Sequence, residues 1–373
     1  MDDSTFDQVL DAVRRFVREK VIPREDEIET TDAIPDDLRA ATVAMGLFGY
    51  ALPVEFGGAG ATMLQDVRLA FEFGYTTPAF RSLFGTNNGI AGQVIAKFGS
   101  LDQQQALLPP LAAGDMIASF ALTESEAGSS PAGLKTAAWR DGRDWILTGT
   151  KRFITNAPLA GLFVVFARTD PSADAGRGIS AFAVDADSPR LTVGPRDHKM
   201  GQRGAWTAEV NFSDVRVPSS RLIGAEGRGY RSAMTVLARG RLHIAAMCVG
   251  TAQRILDESV AHAQSRPRVY ELRTYTAADG RLDALHARFR EHILGFFQKH
   301  GMTNVVYFKP MDAPLSQTTL IYLLSHESRD AAAKSWTAFR DDPEWKKVSA
   351  GGPPLTSKVE SVFLEPTDYS PMK

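Results

Sequence analysis

Ser119-Phe120-Ala121-Leu122-Thr123-Glu124-Ser125-Glu126-Ala127-Gly128-Ser129-Ser130 takes an alternating apolar segment straight into a loop of small and hydroxylated residues. Further along, Lys151-Arg152-Phe153-Ile154-Thr155-Asn156-Ala157 does something similar. Both fall in a region, from about Ile117 to Pro218, whose apolar residues recur with period two. Residues 118–123, 136–140, 145–149, 163–168, 179–185 and 207–212 read there as short strands, and Asp141-Gly142-Arg143-Asp144 is a hairpin signal. So many short strands at close spacing predict a sandwich or barrel.

Upstream the spacing is helical. Phe6, Val9, Leu10, Val13, Phe16 and Val17 share one face, with Ser4-Thr5-Phe6-Asp7 as a candidate capping box. Pro35-Asp36-Asp37 opens a second helix that closes near Gly46. Helical pattern resumes through Val67, Ala70 and Phe71, then through Ile90, Val94, Ile95 and Phe98, and Leu107-Leu108 precede an expected break at Pro109-Pro110.

Downstream, residues 227–266 predict one long helix with two apolar stripes: Leu237, Ile244, Cys248 and Ile255, and beside them Leu242, Val249, Leu256 and Val260. Cys248 reads as a small core residue of that stripe. After Pro267 the pattern becomes β-α-β-β-α-β. Tyr270, Leu272 and Thr274 alternate; Leu282, Leu285, Phe289, Ile293 and Phe296 form a helix ending at Gly301. Strands at 305–308 and 318–324, a helix at 332–339 and a strand at 359–364 complete a ferredoxin-like unit. The expected organisation is therefore multidomain α+β: a helical domain over 1–116, a β-barrel domain over 117–226, one long helix over 227–266, and a ferredoxin-like domain over 268–373.

Composition sets outer bounds. A net charge of -2, from 42 basic and 44 acidic residues, offers no polyelectrolyte surface for nucleic acid. One cysteine can close no intrachain disulfide, which fits a reducing compartment. No apolar run is long enough to span a bilayer, and the acidic start Met1-Asp2-Asp3-Ser4 lacks the basic character of a targeting peptide. The expectation is a cytoplasmic protein.

The two loops carry the chemistry. Hydroxyls at Thr123, Thr155 and Ser129, with exposed backbone N–H groups near Gly128, suit the N1–C2=O edge of a flavin, where reduction places negative charge. Phe120 and Phe153 are the candidates to flank such a ring. The alternative is that these are strand ends closed by turn-forming residues.

Residues 1–266 resemble the acyl-CoA dehydrogenase family throughout. The motifs that carry this are Gly46-Leu47-Phe48-Gly49, Pro53-Val54-Glu55-Phe56-Gly57-Gly58, Leu122-Thr123-Glu124 with Ala127-Gly128-Ser129, and Lys151-Arg152-Phe153-Ile154-Thr155-Asn156. Lys199-Met200-Gly201-Gln202-Arg203-Gly204 and Phe212-Ser213-Asp214-Val215-Arg216-Val217-Pro218 follow in the family's order. The resemblance implies FAD held by Phe120, Leu122, Thr123, Gly128, Ser129, Phe153, Ile154 and Thr155. It implies an acyl-CoA substrate near Ser129 and Arg241, and an electron-transfer flavoprotein as acceptor. In the family reaction a carboxylate removes the α-proton of an acyl thioester while the β-hydrogen leaves as hydride to flavin N5.

The departures are as informative. The family's carboxylate position on the long helix falls at Gly240, which has no side chain to act as base. The family's other position lies late in a helical bundle, and the family pattern stops at Ala261-His262-Ala263-Gln264-Ser265-Arg266. Glu124, Glu126, Glu209 and Glu226 are the substitutes considered, each reading first as a solvated charge or helix-end cap. For Arg241 two readings stay open, an acyl or phosphate contact and a surface residue paired with a local acid.

Residues 268–373 resemble the NIPSNAP family, through Val269-Tyr270-Glu271-Leu272-Arg273-Thr274-Tyr275, Asp342-Pro343-Glu344-Trp345 and Ser361-Val362-Phe363-Leu364. This implies a dimeric α/β barrel. His286, His292, His300 and His326 read as ordinary helix-surface or C-terminal histidines, since no carboxylate or cysteine set accompanies them, and no metal is expected. Two functions follow: an FAD-dependent acyl-CoA dehydrogenase-like oxidoreductase, impaired at Gly240, or a catalytically inactive fusion acting as a binding or dimerisation module. The uncovered stripes of the long helix predict a homo-oligomer.

Overall fold

Asp2, not Ser4, caps the first helix in the computed structural model, which describes residues 2–174, 176–265, 268–367 and 370. Asp2 sits in extended backbone and its carboxylate accepts from the Thr5 N–H at 2.9 Å, so Ser4 lies inside the first turn and the expected capping box is displaced. The helix α1 (Asp3–Phe16) buries Phe6, Leu10 and Val13 and passes through a π-turn into α2 (Glu25–Thr31). Next come α3 (Asp36–Ala44), α4 (Met63–Gly74), α5 (Pro78–Gly89), α6 (Ala91–Phe98) and α7 (Leu101–Ala113). Phe73, Phe80 and Phe84 pack edge-to-face at the centre of this layer.

The break expected at Pro109-Pro110 does not occur: α7 runs through both prolines and stops where Gly114 turns left-handed. The carbonyls that the prolines leave without N–H partners belong to Gln105 and Ala106, two exposed residues whose side of the helix is open to solvent.

A β-layer follows: β1 (Ala118–Ala121), β2 (Ala137–Asp141), β3 (Asp144–Thr155), β4 (Leu162–Arg168), β5 (Ile179–Asp185), β6 (Leu191–Arg196), β7 (Thr207–Pro218) and β8 (Leu222–Ile223). Strand order is β6-β7-β3-β2-β4-β5-β8, with β1 parallel to β4. The path is open, and among the described residues no strand pair closes it into the expected barrel. β3 and β7 are each longer than their alternation suggested, because bulges at 147/149 and 151/154 interrupt the period while pairing continues.

The long helix is α8 (Gly229–Ser265). Its two apolar stripes are largely uncovered: Leu242, Ile244, Val249, Ile255, Leu256 and Val260 are exposed and Leu237 is half-buried, while Cys248 is exposed and not the small core residue expected. The buried side is made by Ala233, Val236, His243, Ala246, Met247 and Gly250. Glycine explains the choice. A Cβ on Gly74 of α4 would lie 2.1 Å from the Met247 carbonyl oxygen, and one on Gly250 would lie 2.0 Å from the Phe71 carbonyl oxygen. The two helices cross backbone to backbone, and the Thr251 hydroxyl donates to the Gly74 carbonyl at 2.7 Å.

The chain separates into two compact units, Met1–Ile255 and Leu256–Lys373. Arg266 and Pro267, where the sequence suggested a join, lie outside the described residues. The second unit contains β9 (Val269–Ala277), α9 (Leu282–Arg288), α10 (Leu294–Lys299), β10 (Thr303–Phe308), α11 (Leu315–Thr318), β11 (Thr319–His326), α12 (Arg329–Asp341), α13 (Pro343–Ser349) and β12 (Thr356–Leu364). Its antiparallel sheet has the order β10-β11-β9-β12, the ferredoxin-like arrangement expected. One face, with Tyr322 and Leu324, packs on the helices. The other presents Phe308, Val362 and Leu364 to solvent.

Candidate functional site

The two loops of the opening motif do meet. The Arg152 N–H donates to the Thr123 carbonyl at 2.9 Å, and the Ser119 hydroxyl donates to the Thr155 carbonyl at 2.8 Å, which stitches the end of β1 to the end of β3. A bulge between Lys151 and Ile154 puts Phe153 at φ 56°, a conformation costly for a bulky residue, and turns its ring outward at 60% exposure. Thr123 and Thr155 are half-buried and Ser129 is exposed. Among the described residues, none of these three hydroxyls has a hydrogen-bond partner, so all remain available to a ligand. Gly128 is open, with nothing within 4 Å of a Cβ placed there.

Not every expected contact is of that kind. Leu122 and Ile154 are buried in the cores, so only their backbones can face a ligand. The Phe120 ring is partly buried against Phe166, at 4.8 Å between centroids, rather than standing free beside Phe153.

Directly beneath the loops lies a charge pair that the pattern did not show. Lys151 is 0% exposed, and its Nζ donates to Glu124 Oε1 at 2.8 Å and to the Leu122 carbonyl at 3.2 Å. Glu124 also accepts from the Lys135 and Thr136 N–H groups and the Thr136 hydroxyl. The reading of Glu124 as a solvated charge is therefore wrong: it is buried. Burial pushes its carboxyl up, but the Lys151 charge and these donors outweigh that and hold it below the usual range. Burial brings Lys151 down to about 8 despite Glu124. With its oxygens so engaged, Glu124 is a structural anchor for the loop and not a free base.

Asn156, in the left-handed conformation, ties this β-layer to the helices. Its Nδ2 donates to the Ser82 carbonyl at 2.7 Å and to Thr86 Oγ1 at 3.1 Å on α5. The neighbouring residue on α5, Arg81, lines a cavity of about 490 Å³ together with Ile90, Leu237, Gly240, Arg241 and Ile244. Arg81 is positioned by a buried chain: its Nε donates to His243 Nε2 at 2.9 Å, and His243 Nδ1 meets Asp66 at 2.9 Å. Asp66 also accepts from the Tyr50 hydroxyl at 2.8 Å and pairs with Arg239 at 2.9 Å. Because Nε2 accepts, the ring proton resides on Nδ1, and burial lowers the histidine's pKa further. The sequence reading missed Lys151, Asn156, Arg81 and His243; only the first two lay inside a quoted motif.

Arg241 is exposed and, among the described residues, has no acidic partner, so the local ion pair is not formed and the side chain stays free beside the cavity. A Cβ on Gly240 would meet only Ile90 Cγ2, at 3.5 Å, so the cavity wall has room for a side chain there. The other carboxylates are engaged elsewhere: Glu126 with Lys135, Glu209 with Arg152 and Glu226 with Arg140. Among the described residues no group of three His, Cys, Asp or Glu is arranged to hold a metal, and no helix is long and apolar enough to cross a membrane. His300 pairs with Asp342 at 2.8 Å, while His326 is buried against Glu271 at 3.0 Å and is not the surface histidine expected.

A helical layer and a β-layer, with two stitched loops and a cavity lined by the long helix and α5, define a two-layer binding fold. The comparisons identify its family. Family models match for the acyl-CoA dehydrogenase N-terminal domain at residues 4–115, the middle domain at 119–215 and the C-terminal domain at 227–287, and for NIPSNAP at 270–371. An acyl-CoA dehydrogenase of Bacillus subtilis is 36% identical over 255 residues, covering 68% of this chain and 67% of that protein. The human mitochondrial short-chain specific acyl-CoA dehydrogenase is 36% identical over 262 residues, covering 70% and 63%. A crystal structure of glutaryl-CoA dehydrogenase from Mycobacterium smegmatis in complex with FADH2 superposes with a TM-score of 0.65 at 33% identity, covering 71% of this chain and 67% of that one. Butyryl-CoA dehydrogenase from Megasphaera elsdenii gives 0.67 at 26% identity, covering 80% and 77%. The chain belongs to the acyl-CoA dehydrogenase family, carries a NIPSNAP-type unit, and spans about two thirds of the length of the curated relatives it matches.

Proposed function

We propose that this chain is an FAD-dependent, acyl-CoA dehydrogenase-type oxidoreductase that binds its cofactor and an acyl-CoA thioester but is impaired in removing the substrate's α-proton. The observation that carries the cofactor is the set of three unpartnered hydroxyls, Thr123, Thr155 and Ser129, beside the strained, outward-turned Phe153. Those hydroxyls, with the backbone at Leu122, Gly128 and Ile154, would hold the polar edge of the flavin; Phe153 would flank its ring and Phe120 back the strand. FAD, when bound, supplies the hydride acceptor at N5. Ser129 and the free Arg241 would hold the acyl-CoA, with an electron-transfer flavoprotein as the acceptor of electrons and the cytoplasm as the compartment. Gly240 supplies no base, and Glu124, Glu126, Glu209 and Glu226 are each held in pairs of their own.

Gly240→Glu tests this. Purified protein is incubated with FAD, desalted, and mixed anaerobically with a panel of acyl-CoAs. The expected result is retained flavin absorbance in both forms, with bleaching in the variant alone. Absence of retained flavin would sink the cofactor assignment, and bleaching of the parent protein would sink the impairment. Retained flavin that bleaches in neither form would favour the alternative, a binding or dimerisation module.

That alternative draws on the open sheet face of the second unit, which we propose as a homodimer surface. Val362 there is 55% exposed, so Val362→Asp should leave the fold intact while making the apolar contact unfavourable. Light scattering should then report a species of half the parent's mass; an unchanged mass places the oligomer contact elsewhere.

A further inference from the structure

We infer that the second unit holds its own binding pocket, distinct from the acyl-CoA site, for an organic carboxylate with an apolar aryl or acyl body. Between the sheet and α12–α13 lies a cavity of about 470 Å³, within the usual range for small-molecule sites, walled by Tyr275, Trp336, Phe339, Trp345 and Phe363. Three guanidiniums, of Arg273, Arg329 and Arg340, line it against a single carboxylate, Glu271, which leaves it two positive charges in excess.

Glu271 does not make the pocket a cation site, because its oxygens are already used. Oε1 accepts from Arg273 at 2.7 Å and from Ser361 at 2.6 Å; Oε2 accepts from Trp336 Nε1 at 2.6 Å and from His326 Nε2 at 3.0 Å. Burial would raise its pKa, but those donors bring it down to about 2, so it stays ionised and satisfied. Its function is to aim Arg273, whose guanidinium lies 4.0 Å from the Trp336 ring centroid and 5.5 Å from that of Tyr275. The Arg273 Nε is buried with no hydrogen-bond partner, a donor whose desolvation nothing in the protein offsets. Arg329, over the Phe363 ring at 5.2 Å, and Arg340 are exposed and, among the described residues, have no acidic partner. Positive charge that the fold leaves uncompensated, set above an aromatic floor, recognises an anionic head on an apolar body. A planar carboxylate matches the guanidinium fork.

The test is calorimetric titration of the full chain with benzoate and octanoate, with inorganic phosphate and benzylamine as comparisons. Saturable binding of the two carboxylates is expected, with none for benzylamine. The double variant Arg329→Gln/Arg340→Gln, altered only at exposed positions, should weaken that binding about tenfold or more, while Lys334→Gln on the same helix should not. Equal binding by parent and double variant would put the carboxylate elsewhere and overturn the assignment. Binding of phosphate without the organic acids, or of benzylamine, would also overturn it.

Discussion

Glu124→Ala should cost about 3–5 kcal/mol of stability, the range for removing one partner of a buried ion pair, and should abolish flavin retention with it. Lys151 would be left without its carboxylate at 0% exposure, with only the Leu122 carbonyl to accept from its ammonium. Lys151→Met should cost less, because Glu124 keeps its bonds from Lys135 and Thr136 and the methionine fills the space. Denaturant unfolding of the two variants measures the asymmetry; equal small losses would mean that the pair is solvated. A pH signature accompanies it. Folding lowers the Lys151 pKa from 10.5 to about 8, so between those values the unfolded chain binds the extra proton and stability rises with pH. The parent protein should therefore gain stability from pH 8 towards 10.5 through this residue, and Lys151→Met should lack that part of the slope.

Gly250→Val should detach α8 from α4. Even the first carbon of a side chain would fall 2.0 Å from the Phe71 carbonyl oxygen, a contact that only movement of the helix can relieve. Overpacking of this kind costs about 1–3 kcal/mol or more, and here it strikes backbone rather than a flexible side chain. The shift would also pull His243 from Asp66 and Arg81, loosening the wall of the Gly240 cavity. Expected readouts are a lowered unfolding midpoint and earlier hydrogen exchange in α8. An unchanged midpoint would mean that the crossing relaxes at no cost.

Legibility in the sequence followed the range of the interactions. β5 was read end to end because the chain there is apolar and bounded by turns, and the β-α-β-β-α-β order was read because each of those elements has a clear period, while the short α11 and α13 were not. The loops around Thr123 and Thr155 were legible as a pair because their small and polar residues are local. Glu124 and Lys151 were not legible as partners, since 27 positions separate them and only the fold buries both. The buried face of α8 was not legible for a related reason. Large side chains dominate a hydrophobic stripe, whereas the close crossing selects Ala246 and Gly250 and leaves Leu242 and Val249 outside. Pro109 and Pro110 show the same limit, because whether a proline breaks a helix depends on which side meets water. Gly240 was the opposite case: a missing side chain needs no tertiary context to be noticed.

The exposure of Cys248 has a practical consequence. It is the only thiol in the chain and stands among the uncovered apolar residues of α8, so the molecule carries a built-in, single-address reporter on that surface. A maleimide dye attaches at one position per chain. Its rate of attachment at rising protein concentration records how often that stripe is free and how often something lies against it.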